Sequence, residues 1–161
     1  MRHPAILLLA GSLAGSLACQ PKQPRSDSPT LPTASDTLRG VFVLEGSDPS
    51  PSPVLRTLAG RVVLDGAPRE ILALSQLELR VRGTSLPDGH FAVVDFVVRR
   101  ANGREALDGM LQARGDGFAL SLPDGSMHAL RGTPPQFTQL VGRRIWLTET
   151  SAGTVADYGI I

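Results

Sequence analysis

Cys19 is the only cysteine in the 161-residue chain, so no disulfide within the chain can brace a fold. Lysine is as scarce: Lys22 stands alone, and almost all positive charge is arginine, a choice that a GC-rich codon usage explains as well as a selected anion site. An excess of one sign is missing too. Sixteen Lys and Arg face 15 Asp and Glu, and removal of Arg2 with a leader makes the two equal. Such a balance gives no general push toward nucleic acid or an anionic membrane. Zinc or copper needs several converging His or Cys ligands, and beyond the leader only His90 and His128 remain. They meet only if two Pro-Asp-Gly turns lie side by side. No Gly-x-Ser-x-Gly elbow occurs, and Gly115-Asp116-Gly117 sits between strand-like runs with no helix after it, which excludes a phosphate loop. A non-enzyme without cofactor or metal is the expectation.

The leading apolar run, residues 5–18, is charge-free but falls short of the about 20 residues that cross a bilayer core. Preceded by Arg2 and His3 and ending in small residues, it has the length of a signal-peptide core. Ser16-Leu17-Ala18-Cys19 resembles the lipobox of bacterial lipoproteins. The resemblance implies cleavage between Ala18 and Cys19, a diacylglycerol thioether on the Cys19 thiol, and acylation of the new amine, commonly by palmitate. It further implies a cell-envelope protein whose first partner is a membrane. The motif departs from the family at Ser16, where leucine is preferred. Ser16-x-Ala18 also satisfies ordinary secretory cleavage, which would release a protein with a free N-terminal cysteine. Gln20, in place of an aspartate, points to the outer membrane facing the periplasm if the cell is diderm.

Three segments follow: a signal peptide (1–18), a lipidated cysteine with a Pro/Ser-rich tether (19–36), and a folded domain (37–161). The tether is too poor in large apolar side chains to offset ordering entropy and would span about 20–25 Å as a flexible coil. From Thr37 the chain reads as short strands between turns. These are Val41–Leu44, Leu58–Leu64, Leu77–Val81, Phe91–Val98, Leu107–Ala113, Phe118–Leu122, Met127–Leu130, Arg144–Thr148 and Val155–Ile161. Asn102-Gly103 predicts a tight hairpin. Helix is expected only at Arg69–Leu74 and at Pro134–Leu140, the latter entered through Thr133 as N-cap. The fold class is therefore all-β: a small antiparallel barrel or sandwich with at most one or two helical turns. Ser85–Gly89 recurs as Ser121–Gly125, which favoured Pro-Asp-Gly turn chemistry explains without a duplicated unit.

The stretch from Gly117 onward resembles the end of small OB-type barrels of exported bacterial proteins. It carries two short strands, a helical turn near Phe137 and Leu140, then Ile145-Trp146-Leu147 and a closing strand through Tyr158. That resemblance implies a face for an oligosaccharide or small ligand, though aromatics are few. Arg80, Arg82, Arg143, Arg144, Trp146 and Tyr158 are the candidate ligand face, with cross-strand ion pairs as the alternative use of the arginines. Asp95, inside an apolar run, is either a buried acid with a raised pKa or the mark of a bulge. The C-terminal residues Val155, Tyr158 and Ile160 are expected to be buried in a strand paired with Arg144–Thr148 across the turn Thr150–Gly153. Gly159 is expected at a close-approach position. The leading function is a lipid-anchored protein whose non-catalytic β domain binds an envelope protein or cell-wall partner. An OB-like glycan or small-ligand module and an enzyme with an unmarked site are the other classes.

Because the only membrane signal lies in the first 19 residues, Cys19→Ala should abolish membrane association and leave the domain folded. Detergent partitioning of both proteins checks this, and a variant still in the detergent phase refutes the anchor.

Overall fold

The computed structural model describes residues 35–47 and 49–161. The signal peptide, the Ala18–Cys19 cleavage point and the tether up to residue 34 lie outside the described residues. The fold is all-β: β1 (Asp36–Glu45), β2 (Ser52–Thr57), β3 (Gly60–Asp65), β4 (Glu78–Ser85), β5 (Phe91–Ala101), β6 (Arg104–Arg114), β7 (Gly117–Ser121), β8 (Met127–Ala129), β9 (Arg144–Glu149) and β10 (Val155–Ile160). A 3-10 turn (Arg69–Ala73) and the single-turn helix α1 (Phe137–Leu140) complete it.

Several strand boundaries differ from the sequence expectation: β1 begins at Asp36, the last residue of the expected tether, and β6 begins at Arg104. Leu58–Leu64 is not one strand: Leu58 and Ala59 form a hairpin tip, with Leu58 fully exposed, and a strand is found upstream at Ser52–Thr57. The proline-rich approach hid β2, which tolerates Pro53 because it stands at the strand start, opposite Leu44 and before the first β3 pair at Val54. The N-cap of α1 is Gln136 rather than Thr133, and no side chain bonds the helix start.

The strands pair as two successive rings. In the first, β1 pairs β2, β2 pairs β3, β3 pairs β5, β5 pairs β4, and β4 returns to β1. Its seam is a short parallel match, Leu64 with Phe91 and Asp65 with Ala92. In the second, β6 pairs β7 and β9, β7 pairs β8, and β9 pairs β10. A lone parallel bridge between Arg131 and Thr154 spans β8 and β10. Both seams are too short to make a complete barrel. Asn102 and Gly103, both at positive φ (50° and 76°), turn β5 into β6 and so join the rings.

Each ring encloses its own core. The first holds Phe42, Leu55, Leu64, Leu79, Val81, Phe91, Phe96 and Val98, plugged by Ile71 and Leu74 from the 3-10 turn. The alternation Leu77, Leu79, Val81 inside and Arg80, Arg82 outside is as the sequence predicts. The second holds Leu111, Leu120, Leu130, Ile145 and Leu147, plugged by Phe137. The Phe137 ring stands edge-on to Phe118 at 5.9 Å and to Tyr158 at 5.0 Å. With no disulfide among these elements, stability comes from such side chains, each contributing about 1.5–3 kcal/mol when fully buried.

The rings repeat one another in detail, which the sequence reading missed. The turn Ile71 N–H to Pro68 C=O recurs as Phe137 to Pro134. Phe42 donates to Leu77 and accepts from Gln76; Leu111 donates to Arg143 and accepts from Gly142. Gln76 and Gly142 both have positive φ, 71° and 81°. A bulge beside Asp95, facing Arg82, recurs beside Asp157, facing Thr148. By contrast, the repeated Ser-Leu-Pro-Asp-Gly joins β4 to β5 in one ring and β7 to β8 in the other, so it marks turn chemistry alone.

The closing strand β10 pairs β9 across the Thr150–Gly153 turn, as expected. Val155 and Tyr158 pack on the second core, and a Cβ on Gly159 would meet the Trp146 ring at 2.6–2.9 Å. Ile160, expected buried, is 45% exposed. Its counterpart in the first ring, Val98, is fully buried, with its N–H on the Asp108 carboxylate.

At the point where β1 leaves β4 for β2, a Cβ on Gly40 would lie 2.4 Å from the Arg56 carbonyl oxygen; where β6 leaves β9 for β7, one on Gly109 would lie 2.3 Å from that of Ser121. Gly40→Ala and Gly109→Ala should each destabilise by about 1–3 kcal/mol. Gly117→Ala, with open space around its Cβ, should be nearly neutral. Denaturant unfolding of the three variants checks this.

Candidate ligand cleft between the rings

Beyond the Asn102-Gly103 hairpin, β5 and β6 are in register only through Arg100 with Glu105 and Ala101 with Arg104, and then they part. The gap opens into a cavity of about 640 Å³, within the range of small-molecule sites. The first ring supplies the outward residues of β4 and β5, Arg80, Arg82, Asp95 and Val97, while Phe96 reaches it from the core side. The second ring supplies Asp108, Met110 and Arg144, with the Ser121-Leu122-Pro123 turn as the facing wall.

The floor is an ion pair. The Asp108 side chain is wholly buried, and its two oxygens accept from Arg144 Nε and Nη2, both at 2.9 Å. Asp108 Oδ2 also accepts the Val98 N–H at 2.8 Å, and Arg144 Nη2 donates to the Phe96 carbonyl at 2.6 Å. The guanidinium lies 4.6 Å above the Phe96 ring. At the rim, Arg82 pairs with Asp95 through Nε at 2.8 Å and through Nη2. The Asp95 hydrogen bond and charge hold the Arg82 guanidinium above its ordinary pKa. Arg80 forms no ion pair and no side-chain hydrogen bond among the described residues.

Of the six residues expected on a ligand face, the cleft gathers Arg80, Arg82 and Arg144. Arg143 is exposed elsewhere. Trp146 packs against the first core and Tyr158 against the second, so both aromatics serve packing. Asp95 is half-exposed, paired and beside a bulge, which matches the structural alternative for that residue. Asp108 went unnoticed in the sequence, although an acid between Leu107 and Gly109 in a predicted strand carried the same signal as Asp95.

His90 and His128 do not meet. His90 Nδ1 bonds the Asp65 carboxylate at 3.1–3.2 Å, and His128 Nε2 bonds Glu149 at 3.0 Å. Asp65, Asp88 and His90 bring one ligand atom each within 4.8 Å of one another. Hydrogen bonds already account for this cluster, since Asp88 also accepts the His90 N–H at 3.0 Å. Among the described residues no hydroxyl bonds a histidine. Comparison of the chain with protein-family models, curated proteins and solved structures finds no match.

The first ring holds the counterpart of the floor pair with its charges exchanged: Arg39 and Glu78 occupy the places of Asp108 and Arg144. The exposed pair should tolerate reversal, Arg39→Glu with Glu78→Arg changing stability by no more than about 0.5–1 kcal/mol. Asp108→Ala should cost about 3 kcal/mol, the low end for a broken buried pair because Arg144 is partly exposed. Asp108→Arg with Arg144→Glu should not recover that loss, because the Val98 N–H would face a cation. Thermal unfolding of the three proteins checks the difference.

Proposed function

We propose that the chain is a lipid-anchored envelope protein whose two-ring body is a non-catalytic binding module, and that a cell-wall component enters the cleft between the rings. The observation that carries this reading is the cleft itself: a roomy, partly apolar cavity in which Arg80 forms no ion pair among the described residues. The lipobox-like Ser16–Cys19 supports the anchor. Two rings in the order first, second, third, fifth, fourth strand, each with a helical turn before its fourth strand, support an OB-like module built twice. OB folds take ligands on the face of their second and third strands. Here β2 and β3 carry no aromatic and β7 and β8 carry only Phe118, packed on the second core, so the cleft is the better site.

A protein partner is the second reading, with Leu58, fully exposed at the β2–β3 tip, as its contact to test. Sedimentation of the full chain with purified cell wall separates the two. Ser121→Trp, which fills the cleft, should weaken retention about tenfold or more with its melting midpoint kept, whereas Leu58→Asp should leave retention unchanged. A Ser121→Trp protein retained like wild type refutes the cleft.

A further inference from the structure

The cleft does not end at its main cavity. A second hollow of about 250 Å³ shares Arg80, Val97 and Leu122 with it. A third, of about 320 Å³, shares Arg99, Ala106 and Leu107 with the second. One groove therefore follows β5 along the seam between the rings to the start of β6. Arg80 stands opposite Val97 in the β4–β5 register, and Arg99 lies two residues further on the same outward face. Arg104 follows across the hairpin, where it pairs in register with Ala101. From Asp95 to Arg99 the strand advances about 13 Å at ~3.3 Å per residue.

Arg80, Arg99 and Arg104 form a row of cations with no ion pair and no side-chain hydrogen bond among the described residues. Arg39, Arg56, Arg61, Arg82 and Arg144 have acidic partners. Arg69, Arg100, Arg114, Arg131 and Arg143 form no ion pair among the described residues either, but they do not line the groove. Each unpaired guanidinium keeps a planar fork of donors suited to carboxylate. Between them the groove presents acceptors, Asp124, Glu105 and Glu149. A DNA-like chain of phosphates offers those carboxylates no hydroxyl donors, and a nucleic acid would lack a stacking surface. Phe96, the one aromatic at the cleft, is 3% exposed and lies beneath Arg144. Sugar hydroxyls, by contrast, donate to carboxylates while sugar acids accept from arginine.

We infer that the ligand is an extended, carboxylate-bearing glycan laid along the inter-ring groove and held by Arg80, Arg99 and Arg104. This deepens the reading of the cleft as the binding site and depends on it. A compact ligand would occupy the main cavity, reach Arg80 alone of the three and leave Arg99 and Arg104 unused.

The test titrates the full chain in detergent with hexagalacturonate, with the same hexamer after reduction of its carboxyls, and with a twelve-residue oligothymidylate. Saturable binding of the acid hexamer is expected, weakened at least about tenfold by Arg80→Gln with Arg99→Gln and again by Arg104→Gln, with little binding of the reduced form. All three arginines are exposed, and unchanged melting midpoints verify the fold. No saturable binding, or binding insensitive to these variants, overturns the assignment. Oligothymidylate bound as well as the hexamer, with the same sensitivity, assigns the groove to nucleic acid instead. If Ser121→Trp weakens cell-wall retention while the hexamer fails to bind, the cleft stands and only the ligand class falls.

Discussion

The bond on which the arrangement of the rings depends joins Asp108 to Arg144 and to the backbone of β5. Past the hairpin, β5 and β6 separate, and the Val98 N–H points into the widening gap with no ladder partner. A buried N–H left unpaired costs about 1–3 kcal/mol. The Asp108 carboxylate takes the missing place, and Arg144 neutralises it while reaching the Phe96 carbonyl and covering the Phe96 ring. Three strands from two rings are thereby fixed at the point where the sheet splits. A buried ion pair is poor as a source of net stability, since desolvation offsets its attraction. Its value here is geometric: it lets a continuous strand pairing end in a cleft without leaving orphaned polar groups.

The chain solves the same folding problem twice with different side chains. Gly40 and Gly109 permit one strand to serve two neighbours, because only a missing Cβ allows the crossing carbonyl so close. At the matching turns, Gln76 bears the left-handed conformation that Gly142 adopts at no steric cost. Ile71 and Phe137 are the plugs, and Phe42 and Leu111 lie at the same point of the two cores. The ion pair beside each changeover keeps its position but exchanges its charges. On the exposed first ring either polarity satisfies the sheet. On the second, the acid must sit on β6, because that side faces the Val98 N–H.

This explains what could be read in the sequence and what could not. Period-two alternation located β4, the Asn-Gly pair located the joint between the rings, and the apolar C-terminus located the closing strand. Burial requires only that a side chain be apolar and of suitable size, so Phe42 against Leu111, or Val81 against Leu147, leaves little identity by which a repeat is recognised. The one visible repeat, Ser-Leu-Pro-Asp-Gly, reflects what a tight turn demands and occupies unlike places. Trp146 and Tyr158 looked like ligand contacts beside arginines. β9 lies between two cores, so Trp146 faces one and Leu147 the other, and the alternation that elsewhere marks one wet face misleads there.

Balanced net charge, finally, describes the surface as a whole and not one groove. Away from the seam several arginines of the first ring are neutralised in place. Glu45 bonds Arg56 and Arg61, and the Arg56 hydrogen bond holds its carboxyl below the usual range, while Glu78 takes Arg39. Along the seam Arg80, Arg99 and Arg104 form no such pair among the described residues. Screening confines each exposed charge to about 8 Å at physiological salt, so a distant Glu45 cannot cancel a groove arginine even though both enter the same net sum. Low-dielectric walls then focus what is left inside the cleft. A chain with no overall pull on polyanions can in this way hold one locally, provided the ligand is narrow enough to enter and offers hydroxyls to the acids between the arginines. That requirement follows from the place where β5 and β6 part, and so from the same Asp108 bond that holds the rings together.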